Sequence, residues 1–207
     1  GLVPEFLIRF MAWLLIRAAY RVRSEGLEHI PEEGPAVLVC NHVSFVDAVI
    51  LMGASPRPVR FVMDHHIFRI PLIRYIFLHS RAIPIASAKD DPALLEQAFT
   101  DIGAALDEGE LVCIFPEGGI TKDGELQPFR PGISRILARN PVPVIPLALG
   151  GLWGSFFSRV EGAAMSKPFR RGFFSRISLR AGAPVAAQEA TPEGLQVLVG
   201  QLRGQER

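Results

Sequence analysis

Ala36-Val37-Leu38-Val39-Cys40-Asn41-His42-Val43-Ser44-Phe45-Val46-Asp47 decides how the chain is read. Five apolar residues in a row fit a short strand buried on both faces. A polar turn follows, and from Val46 to Gly53 the pattern turns helical. A second stretch, Leu111-Val112-Cys113-Ile114-Phe115-Pro116-Glu117-Gly118-Gly119-Ile120-Thr121, repeats the plan of apolar run, then carboxylate and glycines. In open α/β sheets ligands bind beyond the carboxyl ends of strands. Both polar turns fall there, and together they read as one site.

Working outward, short strand patterns alternate with helical ones. Strands are expected at Arg21–Gly26, Ala36–Cys40, Val59–Met63, Ala82–Ala86, Leu111–Phe115, Val144–Leu149 and Arg176–Ala181. Helices are expected at Val46–Gly53, Pro71–Leu78, Pro92–Glu108, Pro131–Arg139 and Thr191–Arg203. Proline opens several of these, where its missing N–H costs nothing. The alternation predicts a single α/β domain whose central, mostly buried sheet is flanked by helices. No repeat or long linker divides it.

Leu2 to Tyr20 reads as an amphipathic helix, with Leu7, Ile8, Met11, Leu14, Leu15 and Ala18 on one face. Phe6, Phe10, Trp13 and Tyr20 flank that stripe, where aromatic rings suit a lipid headgroup zone. Residues 1–20 are therefore expected to form a membrane-associating helix, and 21–207 the domain proper. The alternative is a helix packed on the domain's own core. No run reaches the roughly twenty apolar residues of a spanning helix. The longest, Phe10–Ile16, is bounded by Arg9 and Arg17. A signal peptide fits poorly, because charges recur and no small-residue cleavage site follows.

The hydrophobic fraction of 49% leaves apolar surface to be covered, and the net charge of +1 gives no global attraction to nucleic acid. Lys167, Arg170, Arg171 and Arg176 interleave with Phe169, Phe173 and Phe174, shortly after Trp153, Phe156 and Phe157. Such a segment fits anionic headgroups, or a basic loop whose rings belong to the core. Cys40 and Cys113 both lie inside strand-like runs and read as buried free thiols in a reducing compartment. The chain opens at Gly1 with its first methionine at Met11, which reads as an excised domain or a processed chain.

His42 and Asp47 have the chemistry of a base with an orienting carboxylate. On a regular helix five residues are about 140° apart, so the pair meets only if His42 sits in a loop and Asp47 in the first helical turn. Asp47 also fits a capping box that opens with Ser44. The two roles are compatible, and spacing alone leaves both open. Glu117 with its glycines makes a turn where backbone N–H groups approach an anion, or an ordinary strand-to-loop turn. No G-x-S-x-G elbow occurs, no H-E-x-x-H occurs, and the histidines lack ligand spacing. His65-His66 reads as a surface pair, and no metal is expected. A base without a protein nucleophile points to direct attack by a substrate hydroxyl on an activated carbonyl.

Asn41-His42-Val43-Ser44-Phe45-Val46-Asp47 resembles the N-H-x4-D motif of the glycerophospholipid acyltransferase superfamily, which includes 1-acylglycerol-3-phosphate acyltransferases. Phe115-Pro116-Glu117-Gly118 resembles its F-P-E-G motif, Phe129-Arg130-Pro131-Gly132 its F-K-x-G segment, and Val142-Pro143-Val144-Ile145-Pro146 its V-P-(V/I)-(I/V)-P motif. The likeness covers roughly residues 20 to 150. Within the superfamily the chain looks most like the acyltransferase domain of bacterial 2-acylglycerophosphoethanolamine acyltransferases, often fused to a lysophospholipid transporter or an acyl-carrier-protein synthetase.

The resemblance implies transfer of a fatty acyl group from acyl-CoA or an acyl carrier protein to the free hydroxyl of a lysophospholipid, without a cofactor. It makes His42 the base and Asp47 its partner, with Asn41, Ser44, Phe115, Pro116, Glu117, Gly118 and Arg130 on the substrate side. It places the chain at the cytoplasmic face of the inner membrane, with the lipid surface as partner and nucleic acid excluded. Two departures bear on the acceptor. Members acting on lysophosphatidic acid usually read F-P-E-G-T-R, where Gly119 and Ile120 stand here, and the stretch Ala82–Ser87 lacks the usual arginine. A lysophospholipid with a substituted phosphate is therefore the expected acceptor and lysophosphatidic acid the alternative, with Arg130, Lys122 or Arg81 compensating. A non-catalytic lipid-binding domain is the remaining alternative.

Overall fold

The computed structural model of the chain describes residues 4–42, 46–118, 125–151 and 175–204. Within β2 (Ala36–Cys40) the side chains alternate between two buried faces, Leu38 and Cys40 on one and Val37 and Val39 on the other. β5 (Leu111–Ile114) repeats this with Cys113 and Val112. Both faces are covered, so these strands are apolar throughout instead of alternating with polar residues. The other strands are β1 (Tyr20–Glu25), β3 (Val59–Asp64), β4 (Ile83–Ile85), β6 (Val144–Gly150) and β7 (Ser175–Ala181).

The seven strands form one sheet in the order β1-β7-β6-β2-β5-β3-β4. β2 to β6 run parallel; β7 pairs antiparallel with β6 and parallel with β1. One face carries α1 (Glu5–Ala19), α2 (Val46–Ala54) and α3 (Pro71–His79). The other carries α4 (Pro92–Asp107), α5 (Gly132–Arg139) and α6 (Pro192–Arg203). Every expected element is present, with ends shifted by a few residues. Pro71, Pro92 and Pro192 open their helices, and the Asp91 and Thr191 side chains accept from Leu94 N and Gly194 N at 3.0 Å as caps.

From β2 the chain crosses one face through α2 to β3, passing β5. From β5 it crosses the other face through α5 to β6, passing β2. The connections leave in opposite directions, which opens a crevice at the carboxyl ends of β2 and β5.

The apolar stripe of the first helix divides between core and surface. Ile8 and Ala12 are the buried residues, packed into the core beside α2, while Leu7, Met11, Leu14 and Leu15 are exposed. Arg9 donates to the Ser55 carbonyl at 2.7 Å. A Cβ on Gly53 would stand 3.1 Å from the Trp13 Cα, so the two helices meet backbone to backbone there. α1 thus shares the core of the domain, and its largest apolar side chains face outward. No described helix is long and apolar enough to cross a membrane.

Candidate active site

His42 stands two residues beyond β2, at the crevice. Its Nδ1 lies 2.8 Å from Oδ2 of Asp47, which is wholly buried in the first turn of α2. The helix begins between the two residues, so the carboxylate reaches back to the loop as the spacing requires. The Phe115 ring stacks on the imidazole with centroids 4.4 Å apart. With Nδ1 held by a carboxylate, Nε2 is the nitrogen left for chemistry.

Glu117 holds the histidine by its backbone. One carboxylate oxygen accepts from His42 N at 2.6 Å and the other from Gln127 N at 2.7 Å. Burial pushes the Glu117 carboxyl up from its ordinary range, and these two N–H donors partly offset it. Asn41 performs the same service towards β6. Its amide donates to the Leu149 carbonyl at 2.9 Å and accepts from Leu149 N at 2.8 Å. Asn41 and Glu117, expected on the substrate side, each hold backbone groups in this structure. These bonds tie the loops after β2 and β5 together and tie the end of β2 to β6. Phe115 likewise serves as the wall against which the imidazole rests.

Pro116 accepts from Arg130 N at 2.7 Å, and Gly118 N donates to the Phe115 carbonyl at 3.0 Å, closing the turn. Gly118 has φ of 75°, and a Cβ there would run into the Arg130 side chain. The positive φ is what requires glycine here, and a side chain would also displace the Arg130 guanidinium. The Arg130 guanidinium lies across this turn, exposed, with no protein acceptor among the described residues.

Arg81 is at the opposite end of the sheet. It precedes β4 and pairs with Glu110, just before β5, at 2.9 Å, so it cannot compensate at the crevice. Ser44, Gly119, Ile120, Thr121, Lys122 and the basic aromatic segment around Phe169–Phe174 lie outside the described residues. Cys40 and Cys113 are free, buried thiols whose pKa burial pushes up, so neither is an activated nucleophile. Among the described residues no Ser, Thr or Cys is hydrogen-bonded to the imidazole. Asp64, His65 and His66 do gather at the end of β3, yet Asp64 already caps the following turn through His66 N at 2.9 Å.

Gln127 and Leu149 were invisible in the sequence because they act through backbone atoms. The arrangement is a histidine held on a buried carboxylate, beyond the carboxyl ends of the central strands, with an arginine nearby that has no acceptor among the described residues. It can take a proton from a hydroxyl and return it to a leaving group.

The sequence model of the Acyltransferase family matches residues 21–150. A chloroplast 1-acyl-sn-glycerol-3-phosphate acyltransferase of Brassica napus is 32% identical over 148 residues, 71% of this chain and 42% of that protein. A 1-acyl-sn-glycerol-3-phosphate acyltransferase of Pseudomonas aeruginosa is 30% identical over 142 residues, 68% of this chain and 54% of the relative. The chain spans about half the length of these curated relatives. The crystal structure of the 1-acyl-sn-glycerophosphate acyltransferase PlsC from Thermotoga maritima matches with a TM-score of 0.73 and 18% identity, over 95% of this chain and 77% of that one. That last likeness is one of fold.

Proposed function

This chain belongs to the acyltransferase family, and we propose that it transfers a fatty acyl group from a thioester to the free hydroxyl of 1-acylglycerol 3-phosphate. The observation that carries the reaction is the His42–Asp47 pair, held at 2.8 Å at the mouth of the sheet crevice. Nε2 of His42 removes the proton from the acceptor hydroxyl as its oxygen attacks the thioester carbonyl carbon. The buried Asp47 carboxylate stabilises the imidazolium that forms. The tetrahedral intermediate collapses, the carbon–sulfur bond breaks, and the imidazolium returns its proton to the thiolate. The products are an ester and a thiol, with no acyl-enzyme. The donor is acyl-CoA or an acyl carrier protein, and the enzyme works at the cytoplasmic face of the inner membrane.

The acceptor assignment is supported by the names of the relatives and by the exposed Arg130 guanidinium beside Gly118, a suitable partner for a phosphate. One sequence feature favours a second acceptor. Ile120 stands where members acting on lysophosphatidic acid usually carry an arginine, and Gly119 where they carry a threonine, which suits a lysophospholipid whose phosphate carries a headgroup. Thioester consumption in lipid vesicles with lysophosphatidic acid or lysophosphatidylethanolamine separates them. Turnover with the first alone establishes the first reading. Turnover with the second alone replaces it, and turnover with neither, under both donors, removes acyl transfer.

A further inference from the structure

α3 was assigned no role by its sequence, yet it carries an exposed apolar face. Phe77 is buried and Ile73 and Ile76 pack against the core, while Leu72 is 71% exposed and Leu78 53%. Tyr75 and the preceding Ile70 are exposed as well. α1 touches α3 in the same layer and presents Phe6, Phe10, Met11 and Leu14 outward. Side chains of this size scattered singly need no explanation, but many on two touching helices do.

The charges around them are mostly of one sign, the exceptions being Glu5 at the start of α1 and Asp64 before the turn that leads into α3. No Asp or Glu occurs from residue 6 to 24, or from 65 to 89. The exposed cations on these elements are Arg17, Arg69 and Arg74. Arg17 lies 5.0 Å over the Trp13 ring, and Phe10 stacks on Trp13 at 6.0 Å. An apolar face with aromatic residues and an arginine rim, with acids only at its edges, complements a bilayer that contains anionic lipid.

We propose that α3, with the turn leading into it, is the second half of a lipid-docking platform whose first half is α1. Both helices lie in the bilayer plane, and Arg69 and Arg74 meet anionic headgroups. A single short helix gives marginal attachment, and two side by side fix the orientation of the domain on the membrane. The platform deepens the acyl-transfer reading, since a lipid acceptor must reach the crevice from a bilayer.

The test is sedimentation of the full chain with phosphatidylcholine vesicles, with and without phosphatidylglycerol. Leu72→Asp with Leu78→Asp changes only exposed side chains, so helicity and melting temperature should be retained. The double variant should bind phosphatidylglycerol vesicles at least tenfold more weakly, and Arg74→Glu should remove much of the phosphatidylglycerol preference. Its turnover on a short-chain, monomeric acceptor should be unchanged. Vesicle binding by the double variant equal to wild type overturns the proposal. So does a face that proves to join two copies of the chain, seen as a dimer that Leu72→Asp dissociates while vesicle binding is absent. Vesicle binding that depends on Leu72 and Leu78, in a protein that turns over no acceptor, supports the platform and removes the acyl-transfer reading instead.

Discussion

His42 is fixed by two carboxylates that act on different atoms. Asp47 holds the ring at Nδ1, and Glu117 holds the backbone N–H. His42→Ala should lower turnover by about 10³-fold or more, and should lower the unfolding midpoint too, because the buried Asp47 carboxylate loses the imidazole that it holds. A variant with near-wild-type turnover would remove the base. Glu117→Gln tests the second anchor. Its amide nitrogen would face a backbone N–H, so one bond is lost and two donors oppose each other. Destabilisation of about 2–3 kcal/mol in urea unfolding is expected, together with lost activity. The pH dependence of the same pair of proteins has a definite sign. Burial raises the folded-state pKa of Glu117, so its favourable contribution is complete below the ordinary carboxylate value and falls as pH rises through the raised one. The stability difference between wild type and Glu117→Gln should therefore shrink from acid towards neutral pH, and a flat difference would show that the donors cancel the burial. The residue identities of this site were legible in the sequence; their partners were not. Asp47 could be paired with His42 from the expected helix start, whereas Glu117 and Asn41 bond to backbone amides that every residue type supplies.

Elements were legible where pattern and punctuation agreed. Pro92 and Pro192 gave helix starts, and the unbroken apolar runs gave β2 and β5. The core-facing side of α1 was not legible because the helix is apolar over more than one face, so periodicity could not say which side meets the core. Ile8 and Ala12 win because Gly53 lets the α1 backbone close on α2. Joints between elements were harder still. Arg57 donates to the Pro31, Gly34 and Gly109 carbonyls at 2.8–2.9 Å, stapling three turns at the amino end of the sheet. Nothing in its neighbours, Pro56 and Pro58, announces this. Arg57→Ala should cost about 2–4 kcal/mol by leaving those carbonyls short of a charged donor. Arg57→Lys should recover only part of that, since one ammonium lacks the fork that spans three acceptors. Equal stability of wild type and Arg57→Ala would show that water replaces the staple.

At the scale of the molecule, sheet order was the hidden quantity. β7 enters between β1 and β6, and no local pattern specifies that insertion. Its consequence is that β2 and β5 are central strands, and the site hangs from their carboxyl ends. Cys40 and Cys113 sit on these strands, on the same face, with Cys113 in register with Leu38 two residues before Cys40. They report on the strands that carry the site. If β2 and β5 open only with the whole fold, a thiol reagent should label both cysteines at one common rate. With stability of about 5–15 kcal/mol that rate is at least about 10³-fold below that of the unfolded chain, and it rises with urea along the global unfolding curve. The site then exists or vanishes with the domain, and loss of activity in denaturant should coincide with labelling. Faster labelling of one cysteine would instead mark its strand as a separately opening unit, and activity should then be lost before the core unfolds.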